Sequence, residues 1–411
     1  MSIIKPFRGY LPSPELAKQI SSPPYDVLSS DEARSISNNN PHSFLRVIKP
    51  EIDIDSNKIL DDMNIHEHGK KNLDALINKG QLKQDKYPSF YIYQITMGTH
   101  SQTGIMAGAS ISEYNQNLIK KHEFTRPEKE DDRTLHIHTI NANTGPVFLT
   151  FRNDGKFKPL IDNLIINKPY ISFTADDNTK HSLWKIESSD NILLIKNYFL
   201  QISNLYIADG HHRAASAARV QKYKLKSRSM HNGDESYNYF LSVIFPHDEM
   251  QILAYNRIVK DLNGLSENEF LQSLDTNFII TPIPKQKKPN ENGNFSMLLN
   301  NNWFNVKIKD KIKSNDPVKG LDASILQNHL LYPILGIENP RTNNRIDFVG
   351  GIRGLEELER RCKIDSKVAF ALYPISIENL LSVADADKTM PPKSTWFEPK
   401  LRSGLVVRDL N

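Results

Sequence analysis

The sequence predicts an α+β protein, and three observations predict it. Leu205, Tyr206, Ile207 and Ala208 form a short apolar run that leaves through Asp209-Gly210 into an alanine-rich helix former at 214–220. Runs at 89–97 and 103–111 flank the turn-like Gly98-Thr99-His100-Ser101 and read as an antiparallel hairpin. Elsewhere strand-like and helix-like segments alternate, the pattern of an α+β or mixed α/β arrangement.

The elements follow in order. Residues 1–45 hold a short strand, the turn Ser22-Pro23-Pro24-Tyr25-Asp26-Val27 and a helix whose Ser29 and Glu32 have capping-box spacing. A helix is expected from about Ser56, with apolar Ile59, Leu60, Met63, Leu73, Leu76 and Ile77; Gly69 is a possible interruption and Gly80 a natural stop. After the hairpin, residues 117–143 are strongly polar, and 146–151 read as a central strand ended by Asn153-Asp154-Gly155. A helix at 159–166, a polar stretch at 174–182, a strand at 184–186 and a strand at 239–245 are expected next. Residues 282–296, with Lys285, Gln286, Lys287, Lys288, Asn290, Asn292 and Asn294, have the composition of a loop or domain junction. Helices at 322–332, 353–362 and 376–381 complete the chain. The domain expectation is therefore a core at 1–280 with an insertion at about 50–140, and a C-terminal α/β part at 297–411.

With 411 residues, 38% hydrophobic and 24% charged, the chain is long enough for two or three domains. A net charge of +4 is mild and does not describe a dedicated nucleic-acid or membrane-surface protein. The single cysteine, Cys362, excludes an internal disulfide and a thiolate metal cluster, and a reducing, cytoplasmic setting is the simplest expectation. No run approaches the roughly 20 apolar residues of a membrane span, so no membrane partner is expected.

The strongest chemical signal is the turn Asp209-Gly210-His211-His212-Arg213. A helix N-terminus offers unpaired N–H groups and about half a positive charge, Gly210 allows close backbone approach, and His211, His212 and Arg213 add donors suited to phosphate oxygens. The alternative is an ordinary first turn capped by Asp209. A second candidate is the polar segment from Lys121 to Arg133, which holds Glu123, Thr125, Arg126 and Asp132. Carboxylates there could hold a magnesium ion or remove a hydroxyl proton, or the segment is a solvated loop opening a helix. Tyr25 and Asp26 enter a cleft or form a rigid corner. Lys393, Ser394 and Thr395 follow Pro391-Pro392, which fixes an extended path, and form a ligand contact or a surface turn. The pairs His66/His68 and His136/His138 share a face only on a strand, with metal binding the alternative to a structural role, and lysines 307, 309, 311, 313 and 319 are expected on a solvated strand face, with nucleic-acid contact the alternative. No Walker-type phosphate loop, G-x-S-x-G elbow or protein-kinase signature set is present.

The Asp209 to Arg213 turn resembles the phosphate-binding turn of the ParB and sulfiredoxin-like fold, most closely its free-serine kinase branch. A longer resemblance, on Pro23-Pro24-Tyr25-Asp26-Val27, Ile119-Lys120-Lys121-His122-Glu123, the run from Arg126 to Arg133, the turn at 209–213 and the tract from Met390 to Thr395, is to the domain-of-unknown-function 1015 family, which looks like an enlarged relative of those kinases. The resemblance implies a ParB/sulfiredoxin-like nucleotide-binding core with a large insertion and an added C-terminal part. It implies that Gly210, His211, His212 and Arg213, with Thr125 and Arg126, hold nucleotide phosphates, and that Asp209 and Asp132 lie near Mg2+. Tyr25, Lys393, Ser394 and Thr395 would meet the substrate. Asp209 and His211 would be catalytic, and Asp26, Glu32 and Glu123 compete for the role of base. The expected activity is transfer of a phosphoryl group from ATP or ADP to the hydroxyl of a small metabolite, with free L-serine giving O-phospho-L-serine. The alternative is a nucleotide-gated, CTP-type DNA-binding protein of the ParB class, although no helix-turn-helix is evident. A sulfiredoxin-like redox enzyme would need a cysteine in the phosphate turn, and Cys362 lies elsewhere.

Overall fold

In the computed structural model, which describes residues 1–54, 61–227 and 230–411, the expected hairpin lies within a nine-stranded sheet. Its strands are β1 (Ile4–Lys5), β2 (Phe90–Met97), β3 (His100–Ser110), β4 (Ile119–Lys120), β5 (Val147–Phe151), β6 (Ile171–Thr174), β7 (Lys180–Ile186), β8 (Leu205–Asp209) and β9 (Tyr239–Pro246). They run in the order β4-β8-β5-β9-β3-β2-β7-β6, with β1 added alongside β3. β8 is parallel to β4 and antiparallel to β5, while β5 is parallel to β9. Residues 50–140, expected as an insertion, thus supply β2 and β3 to the interior of this sheet.

Among the helices that accompany it are α1 (Ser30–Ser37), α2 (Asp62–Asn78), α3 (Pro127–Ile140), α4 (Phe157–Leu164), α5 (Ser189–Phe199) and α6 (His211–Ser227). Val147, Leu149 and Phe151 of β5 alternate with buried Phe148 and Thr150, because β5 is covered on both faces. On one face Phe157, Ile195, Phe199, Ala214, Ala217 and Ala218 close the core, and the alanines let α6 lie near the sheet. A second cluster of Phe44, Leu45, Leu73, Leu76, Ile140 and Val407 packs under α2 and α3. Ser29 and Glu32 form the predicted capping box at the start of α1.

Several expectations change. Gly69 does not interrupt α2; a Cβ there would meet the Val47 carbonyl at 2.8 Å, so the glycine permits close packing. Ser56, Ile59 and Leu60 lie outside the described residues. The polar run at 117–143 contains α3, with Pro127 at its first turn and Arg133, Thr134 and His136 buried. The polar stretch at 174–182 ends β6 and opens β7, where Ser172 and Ser182 pair their hydroxyls at 3.2 Å on neighbouring strands. The helix α5 had no counterpart in the sequence reading.

The chain divides into two units: 1–121, 125–250 and 399–411 form the first, and 122–124 with 251–398 the second. The second has a six-stranded antiparallel sheet of β10 (Tyr255–Val259), β11 (Phe278–Ile283), β12 (Asn294–Leu299), β13 (Asn302–Ile308), β14 (Ile346–Gly350) and β15 (Val368–Ala371), in the order β11-β13-β12-β15-β10-β14. Residues 282–296 are therefore not a junction. They link two strands of one sheet, and β12 is wholly buried although it begins inside the polar run. The division falls instead at 250/251, with a return at 398/399. The lysines of the tract do not share one strand face either, since β13 stops at Ile308 and Lys311 sits in a single 3-10 turn, Asp310–Ile312. The helices of this unit are α7 (Glu267–Leu274), α8 (Asp322–Leu326), which runs on into the wider turn Gln327–Leu331, α9 (Glu356–Ile364) and α10 (Ile377–Asp385). No helix among the described residues is long and apolar enough to cross a membrane.

Candidate functional site

The site is built where β8 ends. That strand pairs with β4 at Leu205 and Tyr206 and with β5 through to Asp209, which lies opposite Phe148 after a register shift between Ile207 and Asp209. Gly210 then takes φ +96°, a backbone that side chains rarely adopt. The 17-residue helix α6 starts at the next residue, and its first internal hydrogen bond runs from Ala214 N to Gly210 O at 3.1 Å. The amides of residues 211–213 precede that first helical bond, and the cap position is a glycine. A helix end of this kind, with its dipole, can accept an anion.

The charges around this end are arranged in pairs. Lys400 Nζ lies 3.2 Å from Asp209 Oδ2. Burial opposes ionisation of Asp209, but Lys400, Arg213 and His211 outweigh it and hold the carboxyl well below its usual range. Arg213 donates to Asp26 Oδ1 and to the Pro146 carbonyl, both at 3.0 Å. Burial works against its charge, and Asp26 and Asp209 more than restore it. The Tyr25 ring lies between two guanidiniums, 4.3 Å from that of Arg133 and 5.4 Å from that of Arg213. Burial and the neighbouring Asp26 push the Tyr25 hydroxyl far above its ordinary pKa, so it is un-ionised at neutral pH. A cavity of about 30 Å³, room for about two waters, lies among Tyr25, Arg133, His136, Asn143, Gly145 and Arg213.

His212 and the loop before α3 meet directly. His212 Nε2 accepts the Arg126 N–H at 2.9 Å, which places the proton of the neutral ring on Nδ1. Thr125 Oγ1 donates to Glu130 Oε2 at 2.7 Å, and Arg219 pairs with Glu130 and Asp131. The expected Thr125-Arg126 contribution is therefore tied to α6 through His212.

The model of the family described as "Protein of unknown function (DUF1015)" matches residues 4–324. The chain belongs to that family. No curated protein matches this family member. Among solved structures it is similar to a free serine kinase in complex with AMP (13% identity, 74% of this chain and 92% of that chain, TM-score 0.35). It is also similar to a conserved hypothetical protein from Pyrococcus furiosus (14%, 75% and 97%, 0.36) and to C-terminally truncated SbnI from Staphylococcus aureus (10%, 71% and 82%, 0.37).

One expected residue of this DUF1015 chain has a different setting. Asp132 is not offered to a metal: His66 Nε2 lies 3.2 Å from its Oδ1, and Arg133 Nε donates to its Oδ2 at 2.7 Å. Burial disfavours its charge, yet these two partners hold its pKa far down, and it serves as an anchor between α2 and α3. His66 and His136 lie on different helices with ring centroids 5.4 Å apart, and His136 Nε2 is 3.1 Å from the Val47 carbonyl oxygen. Glu123, Lys393, Ser394 and Thr395 belong to the second unit. There Met390 N donates to the His122 carbonyl at 2.8 Å, so two of the tracts noted in the sequence meet. Glu32 is spent on its capping box. Lys400 and Arg133 were not singled out by sequence; 191 residues separate Lys400 from Asp209, and no spacing rule spans that distance.

Proposed function

We propose that this protein is a nucleotide-dependent phosphotransferase that seats nucleotide phosphates on the turn at 210–213 and passes a phosphoryl group to the hydroxyl of a small metabolite, with free L-serine the first candidate. The observation that carries the reading is the glycine-capped start of α6, where Arg213 and an ionised Asp209–Lys400 pair stand at the positive end of the helix dipole. The resemblance of residues 209–213 to the serine-kinase turn supports it.

Phosphoryl transfer needs positioning and charge stabilisation more than covalent chemistry. The amides of residues 211–213 and the Arg213 guanidinium bind and orient the phosphates, and Lys400 holds Asp209 in one orientation. Asp209 would hold a magnesium ion, which would offset charge on the transferred group. Asp26, exposed and next to Arg213, accepts the acceptor's hydroxyl proton as the new P–O bond forms and the bond to the leaving nucleotide breaks.

The direct test incubates purified protein with Mg2+, ATP or ADP, and a panel of hydroxylated metabolites headed by L-serine, and weighs the products. A product heavier by one phosphoryl group, absent with His211→Ala and Arg213→Ala, is the expected result. Full activity in both folded variants refutes the site. Failure of both nucleotides to bind refutes the reading.

A further inference from the structure

Within the second unit, the tract from Met390 to Thr395 carries an unusual backbone. Lys393 has φ +56°, and among the described residues every other left-handed position is glycine, asparagine or aspartate. Pro392 fixes the preceding φ, so the pair has the φ pattern of a type II turn, whose third residue is normally glycine or asparagine. Lysine is strained where glycine would not be. The chain keeps a cationic side chain at a backbone conformation that costs it strain. Ser394 closes the turn by donating from Oγ to the Pro391 carbonyl at 2.7 Å.

Behind this turn lies Arg257 of β10, only 3% exposed. Its guanidinium donates to the carbonyls of Tyr255 and Pro392, the latter at 3.3 Å, and lies 5.4 Å from the Phe348 ring. No carboxylate among the described residues forms an ion pair with it. Burial lowers its pKa to about 10, so it stays charged at neutral pH. Lys393 Nζ sits 5.5 Å from the ring of Tyr255, two residues before Arg257, and adds a second cation. A buried guanidinium bonded only to carbonyls lacks the anion that would offset its desolvation.

We infer that the Pro391-Pro392-Lys393-Ser394 turn, backed by Arg257, seats an anionic group, a phosphate or a carboxylate, of one of the protein's substrates. The word substrate rests on the phosphotransfer reading; the anion seat does not.

Full-length protein is titrated calorimetrically with Mg2+·ADP and with L-serine, with thermal melts alongside. Lys393→Gly removes the cation and relieves the strain together, so a higher Tm with at least tenfold weaker binding of one probe is expected. Weaker ADP identifies a phosphate, and weaker serine a carboxylate. A higher Tm with both affinities unchanged overturns the inference, as does a Tm that does not rise. Arg257→Lys, which keeps the charge but loses the fork, is expected to weaken the same probe; an effect on the other probe alone, or on neither, overturns it. If wild type binds neither probe, the phosphotransfer reading falls. Inorganic phosphate then decides the inference by itself: binding to wild type that Lys393→Gly loses upholds it, and equal heats in the two proteins overturn it.

Discussion

In the proposed site Gly210 joins the strand end to the phosphate turn, and its φ of +96° is a backbone that side chains rarely adopt. A Cβ there would lie 3.4 Å from Val147 Cα, about ordinary contact, so the cost of a side chain comes from the backbone conformation. Gly210→Ala is expected to cost about 1–3 kcal/mol, read as a lowered urea midpoint, and to weaken nucleotide binding by displacing the amides. Arg213 is a different case. Its side chain is nearly buried and is held by Asp26 and the Pro146 carbonyl, so it supports the turn as well as facing it. Arg213→Ala is expected to lose about 1–3 kcal/mol of stability along with turnover. Arg213→Lys keeps the charge without the fork, and turnover retained by that variant would show that charge alone is required.

At the scale of elements, what the sequence made legible is what local chemistry decides. Ser29 and Glu32 announced α1, and the hairpin turn announced β2 and β3, because capping and turn residues act within a few positions. Ser29→Ala is expected to destabilise the first unit by about 1 kcal/mol, a downward shift of the thermal midpoint without change in ligand binding. The run Leu205 to Arg213 was readable for the same reason: strand, glycine and helix are all written locally. Three features were not. α3 carries so many charges that it reads as loop, yet Arg133 and His136 are buried on it by contacts with Tyr25 and the Val47 carbonyl that lie far off in sequence. The polar start of β7 was hidden because serines facing each other across strands satisfy one another. Residues 282–296 have linker composition, and only the pairing of β12 with β13 and β15 reveals that they stay within one sheet.

At the scale of the whole molecule, the two units carry buried titratable groups whose pH responses have opposite signs. In the first, burial beside Arg402 lowers the pKa of His181 to about 3, and burial with Arg133 and His66 nearby lowers that of His136 strongly. The unfolded chain takes up protons on these rings below about 6.5 while the folded one does not, so their stabilisation is complete above about 6.5. It is lost as pH falls toward 3, by about 1.4 kcal/mol per unit for each histidine. Asp132 and Asp209, held low in the folded state, add a further loss below about 4. In the second unit, Asp322 accepts the Gly293 N–H on one oxygen, while burial leaves the other without a partner and raises its pKa to about 7. The folded state keeps this proton up to about 7 and the unfolded state releases it above about 4, so this contribution is present in acid and lost as pH rises to 7. Peptide-resolved hydrogen exchange between pH 5 and pH 8, corrected for intrinsic rates, is the measurement. Protection in β5, β7 and β8 is expected to rise with pH, while protection around α8 falls. Asp322→Asn is expected to remove the fall around α8 and leave the first unit unchanged. Parallel behaviour of both units, or an α8 trend untouched by the substitution, would show that Asp322 does not carry the proton assigned to it.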